Sequence, residues 1–249
     1  MNALPLVLVP GLMCDHSVWE PLLPYFDSHQ ACQMIDHQNA NSLSQMAHQL
    51  LDVAPDKFLM AGHSMGGRVA LEVLRIAPQR VAGVALMDTG YLAKLDGPAG
   101  ELEVSKRLVL LEIAQSKGVR AMAQEWVKGM VHPQRLADTD LIEKILQMFE
   151  SKNSDIFARQ LLALIFRKDA TDVLKSIRVP TLILCGRQDA WSSPSQHEEM
   201  FQHVPHATLS IIEDAGHMST MEKPQAVAEA MNQWLTAIKP RVSTYHLST

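Results

Sequence analysis

The sequence predicts an α/β fold, in which a mostly parallel sheet of about six strands carries helices on both faces and a helical insertion separates two of the strands. Three observations predict it. Short apolar runs recur along the chain, most of them are separated by stretches whose apolar residues fall at helical spacing, and one long segment, residues 91–177, lacks strand-like runs altogether. Parallel strands need long crossover connections, so an alternation of strand and helix closes into a parallel sheet buried on both sides.

The elements follow in order. Leu4 to Val9 is a continuous apolar run, read as a strand and not as a signal-peptide core, because no Lys or Arg precedes it and no small-residue cleavage pattern follows. A first helix is expected around Ser17 to Phe26, capped by Asp15 or Ser17, then a weaker strand at Ala31 to Ile35. Ser42 caps the next helix, which reaches Val53, and Phe58 to Ala61 is the third strand. Val69, Val73, Leu74 and Ala77 mark one face of the helix that follows Ser64, and Pro78 ends it. Val81 to Met87 is the fourth strand. Through the insertion, Leu108, Leu111 and Ile113, then Leu141, Ile145 and Met148, then Leu161, Leu162 and Ile165 keep helical spacing. Thr181 to Leu184 and Ala207 to Ile212 complete the sheet, and Pro224 suits the first turn of a last helix reaching about Ile238. The expected layout is a core of residues 1–90 and 178–239, a helical cap of residues 91–177 and a loose tail of residues 240–249.

Composition narrows the function. With 249 residues, 47% of them apolar, the chain has material for one sizeable core. The net charge of -5 comes from 22 basic and 27 acidic residues with no long basic run, so neither nucleic acid nor an anionic membrane is an expected partner. No stretch approaches the ~18 apolar residues of a membrane span. Cys14, Cys32 and Cys185 lack metal-ligand spacing and, being odd in number, cannot all pair, which fits a reducing cytoplasm. Without a glycine-rich phosphate loop or a His-x-x-x-His pair on a helix face, neither cofactor nor metal is expected, and the partner is a small molecule.

Gly62-His63-Ser64-Met65-Gly66 stands directly after a predicted strand and directly before a predicted helix. On so sharp a turn the neighbours two residues away must be small, and the serine hydroxyl is lifted into the cleft at the strand's carboxyl end, at the positive end of the helix dipole. Ser64 is therefore the expected nucleophile. A serine hydroxyl needs a base to take its proton and an acid to orient that base. Among eleven histidines, His217 follows the last strand in a glycine-containing loop at the same sheet end. His63 adjoins Ser64 but points away on such a turn, so it is read as a packing or hydrogen-bonding residue. Asp189, in Gly186-Arg187-Gln188-Asp189 after the fifth strand, is the expected acid, with Asp88 as its rival and Asp214 a more distant one. Backbone N–H groups of Met65 and of Leu12, in the loop after the first strand, are the expected oxyanion donors.

These residues resemble the α/β-hydrolase superfamily, from Leu4 to about Ile238, through Val9-Pro10-Gly11-Leu12, the Ser64 turn, Cys185-Gly186-Arg187-Gln188-Asp189 and Asp214-Ala215-Gly216-His217. Within it the chain is similar to the small bacterial esterases, enol-lactonases and carbon–carbon hydrolases. The resemblance implies that the insertion is a lid over the cleft. It departs from the usual pattern at Pro10, where relatives carry histidine, and at Asp36 to Ser42, which lacks their glycines.

Met13, Met65, Met218 and Trp191 are candidates for the pocket wall, the fourteen methionines suggesting an adaptable apolar surface. Cys14, Asp15 and His16, though adjacent, have no geometry that activates a nucleophile. The expected activity is hydrolysis of a small carboxylic ester, thioester or lactone through an acyl-enzyme. Carbon–carbon bond cleavage with the same residues is the alternative, favoured if Arg68 or Arg187 reaches a substrate carboxylate, and a ligand receptor that keeps the site is the third.

Overall fold

The structure, a computed structural model, describes residues 4–244. Among those residues the sheet has six strands, all parallel: β1 Leu6–Val9, β2 Cys32–Met34, β3 Phe58–His63, β4 Val81–Met87, β5 Thr181–Gly186 and β6 Thr208–Ile212, in the order β2-β1-β3-β4-β5-β6. Every residue of β1, β3 and β5 is buried, which is why these runs are continuously apolar. The edge strands β2 and β6 are only partly covered, and their patterns are correspondingly weaker. β3 and β5 extend two residues past their apolar runs, because Gly62, His63, Cys185 and Gly186 still pair with the neighbouring strand.

The helices are α1 Leu43–Val53, α2 Met65–Ile76, α3 Gly97–Lys117, α4 Val119–Trp126, α5 Thr139–Glu150, α6 Ser154–Ile165, α7 Thr171–Ser176, α8 Pro194–His203, α9 Ser219–Glu222 and α10 Pro224–Thr244. The expected first helix is instead two 3₁₀ segments, His16–Val18 and Glu20–Tyr25. Pro21 and Pro24 remove backbone donors that an α-helix would need there. Asp15 caps the first segment by accepting the Ser17 N–H at 2.9 Å. α10 runs past the expected end near Ile238 to Thr244, and residues 245–249 of the expected tail lie outside the described residues.

Right-handed crossovers sort the helices between the two faces. α1, α2, α7 and α8 pack successively on one face, while α10 packs on the 3₁₀ segment Glu20–Tyr25 on the other. α7, placed in the insertion by its sequence position, thus belongs to the layer beside α2 and α8. α3 to α6 contact one another and line the cavity over Ser64. The chain steps one way from β1 to β2 and the other way from β2 to β3, so the strand order reverses beside β1. The crevice of such a sheet opens there, at the carboxyl ends of β1 and β3.

At the start of α1, Ser42 Oγ accepts the Gln45 N–H at 3.2 Å. Ser42→Ala is expected to lose about 1 kcal/mol, seen as a lower urea midpoint with an unchanged slope.

Candidate active site

Ser64 lies between β3 and α2 with φ 55° and ψ -117°, a conformation strained for a residue with a side chain. Its surroundings hold it there. The Ser64 N–H donates to Met87 O at 2.8 Å, and Ser64 O accepts from Thr89 Oγ1 at 2.6 Å and from the Gly67 N–H at 3.0 Å. The turn is also too tight for side chains on either side: a Cβ on Gly62 would stand 2.4 Å from Gly66 O, and one on Gly66 would stand 2.0 Å from Val9 O.

The three sequence-predicted polar residues meet here. His217 Nε2 lies 2.8 Å from Ser64 Oγ, and His217 Nδ1 lies 2.8 Å from Asp189 Oδ2. A carboxylate only accepts, so Nδ1 carries the proton and Nε2 is left to accept from the serine hydroxyl. Asp189 is buried, and its other oxygen accepts the N–H groups of Trp191 and Ser192, each at 2.9 Å. Burial pushes its carboxyl up, but the His217 charge and these hydrogen bonds outweigh that and leave its pKa below the ordinary value. For His217, burial opposes protonation, and the Asp189 carboxylate overcomes it, raising the imidazole pKa. The His217 N–H donates to Met130 O at 2.7 Å, and the Glu222 carboxylate accepts both the Gly216 N–H at 2.9 Å and the His132 N–H at 2.7 Å.

The rival carboxylates lie elsewhere. Asp88 is fully buried, accepts the Gly186 N–H at 2.9 Å and the Ser219 hydroxyl, and stands 3.8 Å from His63 Nε2. Burial, then the charge of Asp189, holds its pKa well above the usual carboxylate range. Asp214 is exposed, 3.5 Å from Lys223 Nζ. His63 donates from Nε2 to His217 O at 2.8 Å, and burial pulls its pKa down to about 4, so it braces the His217 backbone as a neutral ring.

Neither the Leu12 N–H nor the Met65 N–H has a protein acceptor among the described residues. The loop that carries Leu12 is braced from outside: His37 Nε2 donates to Pro10 O at 2.9 Å, and the Met13 N–H donates to Gln160 Oε1 of α6 at 2.8 Å. A histidine from the glycine-free loop after β2 thus braces the backbone at Pro10. Met13 is not a wall of the pocket. Its left-handed backbone, φ 61°, sends the side chain into the core, while Leu12 and Cys14 on either side face the cavity. Burial, then Asp15, pushes the Cys14 thiol up to about 12, which leaves it inert.

Ser64 and His217 open into a cavity of about 580 Å³. Met65, Met218 and Trp191 line it, and Trp191 stacks on Trp126 with its ring 4.9 Å from that of His217. Helices α3 to α6 supply much of the opposite wall, including Phe149, Phe157 and Leu161. Arg68, Lys106, Arg107 and Arg167 also line it, beside Glu103. Arg187 does not: its guanidinium is 2.7 Å from Glu213 on the surface. Gln160, Thr89, Glu222 and the Lys106, Arg107 and Arg167 cations are site features that sequence reasoning missed. Among the described residues no three His, Cys, Asp or Glu side chains are grouped to hold a metal ion, and no helix is long and apolar enough to cross a membrane.

The family model described as "Alpha/beta hydrolase family" matches residues 6–230. The chain belongs to that family. Among its curated relatives in the family, a pimeloyl-[acyl-carrier protein] methyl ester esterase of Legionella pneumophila is 24% identical, over 94% of this chain and 96% of the relative. A 3-oxoadipate enol-lactonase of Acinetobacter baylyi is 23% identical, over 96% and 91%. A solved structure of a thermophilic esterase from Thermogutta terrifontis, bound to malate, superposes with a TM-score of 0.82 at 28% identity, over 95% of this hydrolase-family chain and 91% of that one. The expected likeness to esterases and enol-lactonases and the expected α/β-hydrolase fold are both met.

The two buried carboxylates should respond differently to amide replacement. Asp189→Asn is expected to lower kcat by roughly 10⁴-fold, by removing the charge that fixes the imidazole. Asp88→Asn, which keeps an acceptor for the Gly186 N–H, should cost about tenfold at most. Steady-state hydrolysis of an activated ester checks both, and a reversed order would make Asp88 the acid.

Proposed function

We propose that the chain is a serine hydrolase that cleaves a small carboxylic ester, thioester or lactone through an acyl-enzyme. The observation that carries this reading is the unbroken hydrogen-bonded chain from Asp189 through His217 to Ser64 Oγ, ending in the cavity. Relatives named as a methyl ester esterase and an enol-lactonase support esters and lactones as the substrate class.

In this mechanism Ser64 Oγ attacks the carbonyl carbon while its proton passes to His217 Nε2. The oxyanion that forms takes the N–H groups of Leu12 and Met65, which face no competing protein acceptor among the described residues. As the intermediate collapses, the carbon–oxygen or carbon–sulfur bond breaks and the leaving group takes the proton from Nε2. Water then gives a proton to Nε2 and attacks the acyl carbon, and collapse returns that proton to Ser64 Oγ. Asp189 stays ionised throughout, orienting the imidazole and stabilising its charged form. Helices α3 to α6 serve as the lid that shields these steps from bulk water.

One observation favours a second reading, carbon–carbon bond hydrolysis by the same residues: the cation of Arg68 lines the cavity. Turnover of carboxylated 1,5-diketones in preference to every ester and lactone of similar size would select it.

Ser64→Ala should lower kcat on p-nitrophenyl acetate by roughly 10⁴-fold or more, and full turnover by that variant would refute the mechanism. The base must be neutral to act, and Asp189 raises the pKa of His217. Activity should therefore rise with pH through a midpoint above the ordinary histidine value of about 6.5. Asp189→Asn should shift that midpoint down, and a midpoint that this variant leaves in place would contradict the assignment.

A further inference from the structure

Resting on the serine hydrolase reading, we infer that Arg68 forms a carboxylate-binding subsite in the cavity. The preferred substrate is then an anionic acyl compound, an ester or lactone whose acyl chain carries a second, free carboxylate.

Arg68 stands in the first turn of α2, which begins directly after Ser64, so the two are separated along the helix axis by about four steps, a rise of about 6 Å. Both line the same cavity. A chain of a few methylenes spans that separation, and apolar side chains such as Leu110 and Leu164 line the cavity to receive it.

The cations in this chamber are unequally neutralised. Arg107 and Arg167 share Glu103, at 3.0 and 2.7 Å. Arg68 forms no ion pair among the described residues, and its Nη1 donates to Leu92 O at 2.9 Å. With Lys106, four cationic side chains line the cavity beside the single carboxylate of Glu103 among the described residues. Burial, then the like charges of Arg167 and Arg107, draws the pKa of Arg68 down to about 9, as expected for a poorly compensated cation. A guanidinium has five N–H donors in a planar fork that suits a carboxylate. The bond to Leu92 O uses one of its donors. Space is also reserved for it: a Cβ on Gly90 would stand 2.7 Å from Arg68 Nη2. A bare strut to Leu92 would require neither the cationic surroundings nor the opening toward Ser64. An incoming carboxylate completes the charge balance and fixes the far end of the acyl chain, which leaves the carbonyl facing Ser64.

The test compares monomethyl with dimethyl esters of succinic, glutaric and adipic acids, which differ at the far end by one charge. At one chain length or more, wild type should prefer the half-ester in kcat/KM by about tenfold or more. Arg68→Gln should reduce that ratio by about tenfold, chiefly through KM, with Arg68→Lys retaining part of it, while the surface variant Arg187→Ala should keep the wild-type ratio. Should Arg68→Gln fail to fold, Lys106→Gln, on an exposed position of α3, should lower the ratio about two- to threefold through its weaker, solvent-screened charge. A preference for the diester at every length, or a ratio unmoved by the Arg68 and Lys106 variants, overturns the subsite. Glutarate should also slow labelling of Ser64 by a fluorophosphonate in wild type more than in Arg68→Gln, and equal protection by inorganic phosphate would overturn the carboxylate assignment. If no ester is turned over and Ser64 is not labelled, the hydrolase reading fails. Calorimetric titration of glutarate into wild type and Arg68→Gln then judges the subsite separately, binding lost in the variant sustaining it and no binding to wild type overturning it.

Discussion

A serine held at φ 55° and ψ -117° between a buried strand and a helix is the constraint on which the rest of the site depends. Strain of this kind costs on the order of 1–3 kcal/mol and persists only where the surroundings over-determine the backbone. Here they do so from three directions. β4 accepts the Ser64 N–H through Met87, Thr89 just beyond β4 donates to Ser64 O, and β1 comes so close beneath the turn that residue 66 must be glycine. The strand order reverses beside β1, which opens the crevice where this turn projects, so sheet topology and local strain place the same hydroxyl.

The helices above the sheet share hydrogen bonds with both halves of the site. Gln160 of α6 holds the loop bearing Leu12 through the Met13 N–H, and Met130, beyond α4, accepts the His217 N–H. Glu222 binds the loop before His217 and the backbone at His132 with one carboxylate. Around the rim, Ser151 Oγ donates to Asp15 at 2.9 Å, and Lys152 Nζ stands 3.3 Å from Asp36. The imidazole and the Leu12 N–H are therefore positioned by the insertion as well as by the sheet. The packing of α3 to α6 shapes the cavity and the geometry around Ser64 and His217 together.

Much of this was legible in the sequence because it is local. Continuous apolar runs mark strands covered on both faces, and Ser64, Asp189 and His217 each follow a strand that can be recognised without knowing its neighbours. The last two residues of β3 and of β5 were missed because Gly62 and Gly186 contribute no apolar signal where pairing continues. The helix expected at Ser17 to Phe26 is 3₁₀ because its prolines outweigh its apolar spacing. Met13 looked like a pocket residue by position, and a left-handed backbone turned it inward. The bond from Gln160 to Met13 joins residues 147 apart, and the cationic chamber combines α2, α3 and Arg167 beyond α6. No periodicity in one segment encodes such meetings. They arise from how the insertion settles on the sheet.

The proposed mechanism turns on a covalent intermediate at Ser64. The most direct measurement is intact-protein mass spectrometry after acid quench of a slowly deacylating ester, followed by peptide mapping. One acyl group per chain is expected on the peptide containing Gly62 to Gly66 in the wild type, and none in Ser64→Ala. Turnover with no adduct trapped under conditions that make deacylation limiting, or an acyl group on any other residue, would contradict it.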